Sequence, residues 1–340
     1  MKTGAGRSWA RESPYDRFFD FIAPDADRFT VLSGHIQKLG LNSVVFPIEG
    51  NRHFFIFPRG INLKPPAAAS TGARAHGNSS RMAPPPKYSA GKENAPGGRS
   101  FPFQKKNPVI LTAHYDRVSG SPGANDNSAA VFQLLGAALR LGNQSVDDWI
   151  IIFTDKEELQ NGEGFQKQGS YSLAKKLRGM GLGESRIFNF DACGTGDTFV
   201  FSTTVDYLLK KNRRPGFNRA SQTISRLREK VLGTARFLRF SKTIAAPTPF
   251  SDDAGFLQGG IPVQTITMLP AGEADAFAAM LFDNPGFIDM LFDGSLKNSA
   301  NRKLLPETWR CLNSPSDDES RLTPEYYDKI TRFAAELCRT

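Results

Sequence analysis

The sequence predicts an α/β fold, a three-layer sandwich in which a central mixed, mostly parallel sheet is flanked by helices. Three observations lead there. The runs PVILTAHY, WIIIFTD and RIFNFDACG are almost continuously apolar, as strands covered on both faces are. Segments with helical apolar spacing lie between them, and alternation of strand and helix builds parallel sheets. A hairpin pattern precedes them all, which places an antiparallel pair on one side of the sheet.

Taken in order, the stretch from Tyr15 to Leu39 has Phe18, Phe19, Ile22, Phe29, Leu32, His35 and Ile36 at helical spacing, so helices pack here and His35 reads as a core or boundary residue. NSVVFPIEGNRHFFIFPRG reads as two strands around the turn EGN, with His53 expected in solvent beside it. PVILTAHY is then a buried strand, followed by a Gly-rich loop and a helix from about Asp126 to Leu141. WIIIFTD, RIFNFDACG, TFVFST and VQTITM are further strands. QGSYSLAKKLR and LTPEYYDKITRFAAELC are helices, the latter amphipathic and closing the fold. Residues 271–309 carry Phe277, Phe282, Phe287, Phe292 and Trp309, a spacing that fits either an apolar substrate pocket or a helical packing face.

The 340 residues, 39% of them hydrophobic, can build a substantial core and read as one domain, 1–340. Between Ile61 and Lys106 eight basic residues face one acidic, so this stretch holds +7 of the net +9. Its segment 65–100 is rich in Pro, Ala, Gly and Ser with little large apolar surface, and reads as a disordered basic insertion. His76 within it is therefore a poor ligand candidate. The basic balance belongs to this insertion, so no nucleic-acid partner is expected. Cys193, Cys311 and Cys338 show no CxxC spacing, which excludes a disulfide framework and a thiolate zinc site. Neither a secretory signal nor a membrane-spanning apolar run is present, and the expected location is cytoplasmic. Glycine motifs for nucleotide phosphates are missing as well.

The chemistry gathers at strand ends, where open parallel sheets bind ligands. His114 ends one apolar strand, Asp116 follows two residues on, and Asp126 lies beyond the Gly-rich loop. A carboxylate at that spacing can hold the second ring nitrogen of a metal-binding imidazole. Glu157 and Glu158 follow WIIIFTD, and two adjacent buried carboxylates are costly unless a cation or proton compensates. Asp191 ends RIFNFDACG, completing a His and carboxylate set suited to zinc.

In order, AHYDRVSGSPGANDNSAAV, DKEELQNGEGFQKQGSYSLA, NFDACG and FSDDAGFLQGGIPV resemble blocks of metallopeptidase family 28, the zinc aminopeptidases, whose fold is shared by glutaminyl cyclases. The resemblance runs from about Val109 to the C-terminal helix. It implies that Asp126 bridges two zinc ions, that His114 and Asp191 complete one, and that Glu158 belongs to the other. It further implies that Glu157 is the general base, with Asp252 as an acid close behind the metals; Asp116, which can hold the His114 ring, is expected to join Glu157 among the catalytic residues.

Two departures stand out. The family has SDH where this chain reads Ser251, Asp252, Asp253, and it has a histidine where this chain reads Asn313. Since no histidine follows His114, none can be shifted into that place. An amide oxygen is a weaker zinc donor than imidazole, so one tight zinc site is expected and a second weak or absent one, with Asp317 or Asp318 as possible substitutes for the lost ligand. The functional expectation is a zinc-dependent exopeptidase, in particular an aminopeptidase acting on peptides. The alternatives are a noncatalytic relative and, third, a glutaminyl-cyclase-like aminoacyltransferase.

Overall fold

In a computed structural model of the chain, which describes residues 13–61, 107–160, 162–211, 217–292 and 299–339, eight strands form one mixed sheet. They are β1 (Asn42–Ile48), β2 (Asn51–Phe57), β3 (Val109–His114), β4 (Trp149–Thr154), β5 (Arg186–Phe190), β6 (Thr198–Ser202), β7 (Thr243–Ala246) and β8 (Gln264–Leu269), in the order β1-β2-β4-β3-β5-β8-β6-β7. The segment 65–100 lies outside the described residues, as does His76.

Parallel pairing joins β4 to β3, β3 to β5, β5 to β8 and β6 to β7. The hairpin β1–β2 is antiparallel and joins β4 in antiparallel register, as its sequence predicts. The pair β6–β8 is antiparallel too, and it makes the sheet mixed beyond the hairpin. Strand β7 escapes the sequence reading because TIAA is short and half-buried, without an apolar run to mark it.

The helices are α1 (Phe18–Ile22), α2 (Arg28–Lys38), α3 (Ala129–Asn143), α4 (Gly169–Gly179), α5 (Thr204–Lys211), α6 (Phe217–Phe237), α7 (Asp252–Gln258), α8 (Ala271–Asp283), α9 (Phe287–Phe292), α10 (Ser299–Arg302), α11 (Glu307–Cys311) and α12 (Tyr327–Leu337). Alternate residues of the central strands divide between two cores, as a pleated sheet requires. Val109, Leu111 and Ile151 pack with the α1, α2, α3 and α12 side chains, whereas Ile110, Ile150 and Ile152 pack with Leu173 and Leu177 of α4 and Phe256 of α7. A smaller cluster holds Phe277, Phe287 and Trp309 together with Val200 and Leu269, so these aromatics serve as a packing face. Phe282 is 84% exposed, and Phe292 stacks on Tyr207.

The same alternation corrects the expectation for His53. It shares the face of Phe55 and Phe57, which α4 covers, and is fully buried. Its Nδ1 accepts from the Asp155 amide at 3.3 Å, and burial pushes its pKa down to about 4, so the ring is neutral. His35 is buried as expected: Nε2 donates to the Pro14 carbonyl at 2.7 Å and the ring stacks on Phe132.

Phe132 joins α3 to α1 and α2, with its ring 5.3 Å from Phe18, 5.4 Å from Phe21 and 5.5 Å from His35. Phe132→Ala is expected to destabilise the protein by about 3–5 kcal/mol, since three fixed rings cannot collapse into the gap. Urea denaturation checks this, and a loss below about 1 kcal/mol would show that α1 and α2 repack.

Candidate metal centre

Of the predicted ligand residues, His114, Asp126, Glu158 and Asp191 converge at the carboxyl ends of β3, β4 and β5. His114 is the last residue of β3 and is 1% exposed. Its Nε2 lies 2.9 Å from Asp126 Oδ1 and 3.7 Å from Asp191 Oδ1. Its Nδ1 lies 3.4 Å from Asp116 Oδ1. Ligand atoms of His114, Asp126 and Asp191 fall within 4.8 Å of one another, and so do those of His114, Glu157 and Glu158.

Asp116 ties two strand ends together. Its Oδ1 accepts from the Glu157 amide at 3.1 Å and its Oδ2 from the Glu158 amide at 3.0 Å, while the same carboxylate faces the His114 ring. These charge-assisted bonds to buried N–H groups hold the Glu157–Glu158 loop against β3.

Asp126 does not open the helix, as the sequence reading expected. It sits in an irregular turn, Ala124–Ser128, with φ −112° and ψ 88°, and α3 starts only at Ala129. Several groups shape this turn through contacts that the sequence does not mark. Asp317 is 1% exposed, and its carboxylate accepts from the amides of Asn125 at 2.9 Å and Asp126 at 3.0 Å. From the opposite side Arg28 of α2, 6% exposed, donates to the carbonyls of Tyr115, Asp116, Pro122 and Gly123 and to Ser128 Oγ at 2.6–3.2 Å. Gly123 has φ 60°, and a Cβ there would lie 2.7 Å from Arg28 Nη2 and 2.6 Å from the Asp126 carbonyl oxygen, so only glycine fits. Asn125 Oδ1 accepts from the Gly194 amide at 2.7 Å, and Asn127 accepts from Ala192 and donates to the Phe190 carbonyl, fastening the turn to the β5 end that bears Asp191.

Asp317 thus already accepts an amide on each of its oxygens, and Asp318 is bonded to Ser320. Asn313 is exposed, in a left-handed turn with φ 59°. Asp252 and Asp253 are fully buried, the former accepting from Thr154 Oγ1 and the latter from the Ser251 amide.

The electrostatics follow from crowding. Burial, then the neighbouring carboxylates, push Glu158 up to about 9 and Glu157 well above the usual carboxylate range. Burial is also the main reason that Asp252 rises to about 6 and Asp253 and Asp317 to about 7. For His114 burial favours the neutral ring, but contacts with Asp116, Asp126 and Asp191 outweigh it and raise its pKa. Glu158 Oε1 is buried without a hydrogen-bond partner, and both buried ring nitrogens of His114 face carboxylate oxygens. One imidazole amid carboxylates, with buried donor atoms left over, is a donor set that fits Zn²⁺.

The sequence profile of peptidase family M28 matches residues 98–338. The chain belongs to peptidase family M28. It is therefore a member of a metallopeptidase family, with the fold of zinc exopeptidases. It is similar to a zinc aminopeptidase from Bacillus subtilis at 21% identity, with a TM-score of 0.45 over 69% of this chain and 47% of that one, so the chain spans about half that enzyme's length. A Zn-dependent exopeptidase from Parabacteroides distasonis matches over 98% of this chain and 97% of its own, with 12% identity and a TM-score of 0.52. A glutaminyl cyclase from Porphyromonas gingivalis matches over 96% of both chains at 14% identity and a TM-score of 0.52. No curated protein matches the chain. No helix among the described residues is long and apolar enough to cross a membrane.

The crowded carboxyls have a consequence for stability. Their folded pKa values of about 6, 7, 7 and 9 lie above the unfolded range near 4, so without metal the folded state binds more protons and loses stability as pH rises. Chelator-treated protein is expected to melt at progressively lower temperature between about pH 5 and pH 9, and saturating zinc, which binds the deprotonated ligands, to flatten that decline. A melting temperature that climbs with pH in chelator would contradict this.

Proposed function

We propose that the chain is a zinc-dependent exopeptidase, and specifically an aminopeptidase that removes N-terminal residues from peptides. The observation that supports it most is the placement of Glu157, a buried carboxylate adjoining Glu158 and grouped with His114. On this reading His114, Asp126 and Asp191 hold one zinc tightly, while Asp126 and Glu158 offer a second, weak site at which Asn313 takes the position of the family's final histidine. When bound, zinc supplies Lewis acidity that lowers the pKa of water and polarises the peptide carbonyl.

The chain's own residues do the rest. Glu157 takes the proton of the attacking water at its carboxylate and delivers it to the leaving amine. Asp116 keeps the His114 ring oriented and fixes the backbone of Glu157 and Glu158 by two hydrogen bonds. Asp252, bonded to Thr154 at the end of β4, adds negative charge beside Glu157 and strengthens its hold on a proton. Cyclisation of N-terminal glutamine is the third reading, behind a noncatalytic relative, and is supported only by a shared fold. A glutaminyl peptide that cyclises without being hydrolysed would favour it over peptidase activity.

Hydrolysis of an aminoacyl 4-nitroanilide should be abolished by chelator and should fall by about 10² or more in Glu157→Gln, with zinc content retained. A Glu157→Gln enzyme of undiminished turnover would remove Glu157 as base. Asn313→His should raise bound zinc from about one toward two per chain by elemental analysis, because it adds an imidazole donor. Two tightly held zinc ions in the unmodified protein would refute the weak second site.

A further inference from the structure

We propose that Gln168 is a positioning residue for the general base, its side-chain amide setting the orientation of the Glu157 carboxylate. The proposal rests on the reading of Glu157 as base. Gln168 stands at the N-cap of α4 and is 3% exposed. Its Nε2 donates to Glu157 Oε1 at 3.0 Å and to the Glu157 carbonyl at 3.2 Å, and reaches the Ser251 carbonyl at 3.5 Å. Among the described residues this is the one side-chain hydrogen bond to the Glu157 carboxylate.

A glutamate carboxylate turns readily about its last torsion. One amide that holds both the side chain and the main chain of the same residue removes that freedom. Because Oε1 is engaged by the amide, Oε2 is left as the oxygen that takes the proton from water. The main chain that carries it is itself held, since Gln168 N donates to the Phe165 carbonyl at 3.1 Å and the next residue, Gly169, donates to the Lys156 carbonyl at 2.9 Å. Space for it is reserved by Gly255 of α7, where a Cβ would lie 2.8 Å from Gln168 Oε1 and 2.2 Å from Ser170 Oγ. The α4 start, the base loop and the α7 start therefore meet at one side chain.

Gln168→Met keeps the length and apolar volume and removes the donor. Its kcat should fall about tenfold or more, with KM within about twofold, zinc content unchanged and the protein fully folded at the assay temperature, because a misaligned base slows proton transfer without weakening binding. In the double variant with Glu157→Gln the second substitution should add almost nothing, which a general structural role would not produce. A second measurement does not depend on turnover. In protein labelled with 15N-glutamine, the side-chain amide signal absent from Gln168→Met should exchange slowly with solvent and shift in Glu157→Gln. Wild-type kcat in Gln168→Met alongside an inactive Glu157→Gln would overturn this proposal alone, as would an amide that exchanges like free glutamine or ignores Glu157→Gln. Full activity in Glu157→Gln would overturn the base assignment and the positioning role with it.

Discussion

A crowd of buried carboxyl groups around a single imidazole governs this molecule. Asp116, Asp126, Glu157, Glu158, Asp191 and Asp252 all act electrostatically on one another or on His114. Like charges out of water repel strongly, and protons or a cation must balance them. The raised pKa values are what protons alone achieve, and a divalent metal among the same oxygens would achieve it with the carboxylates ionised. Arg28, the one arginine that is buried among the described residues, is bonded to backbone carbonyls and a serine hydroxyl.

Such crowding needs a rigid frame. Parallel strands β3, β4 and β5 end together, and each end sends one part of the set into the same crevice. The irregular contributor is the turn bearing Asp126, and it is held by several partners. Arg28 holds the carbonyls of the loop that leads into it and Ser128 Oγ, Asp317 holds its amides, and Asn125 and Asn127 tie it to the residues around Asp191. Each clamp satisfies buried backbone groups that a turn cannot pair within itself. Loss of any one would leave a buried donor or acceptor unmade as well as a displaced Asp126 carboxylate.

The block CLNSPSDDES shows how nearby residues diverge. Asn313 is exposed, whereas Asp317, four residues on, is buried and shapes the Asp126 turn. The family resemblance makes Asn313 the point of departure, and the structure shows that the same block retains a separate supporting function through Asp317.

How much of this was legible in the sequence depends on the range of the interaction. Apolar runs and their alternation with helices were enough for the sheet and its hairpin, because burial on two faces leaves a local signature. Ligand types at successive strand ends were enough to bring His114, Asp126, Glu157, Glu158 and Asp191 together, since parallel strands share one carboxyl edge. Short β7 and the buried side of His53 were not legible, as each depends on which element packs above it. Arg28, Asp317 and Gln168 had no local signature either. Arg28 lies 87 or more residues from the carbonyls it holds and Asp317 lies 191 from Asp126, so only the folded chain brings these partners within hydrogen-bond reach. The sequence by itself determined the layers and the chemistry of the site; the tertiary structure decided which backbone groups hold that chemistry in place, because a polar group's partner is set by three-dimensional proximity and not by spacing along the chain.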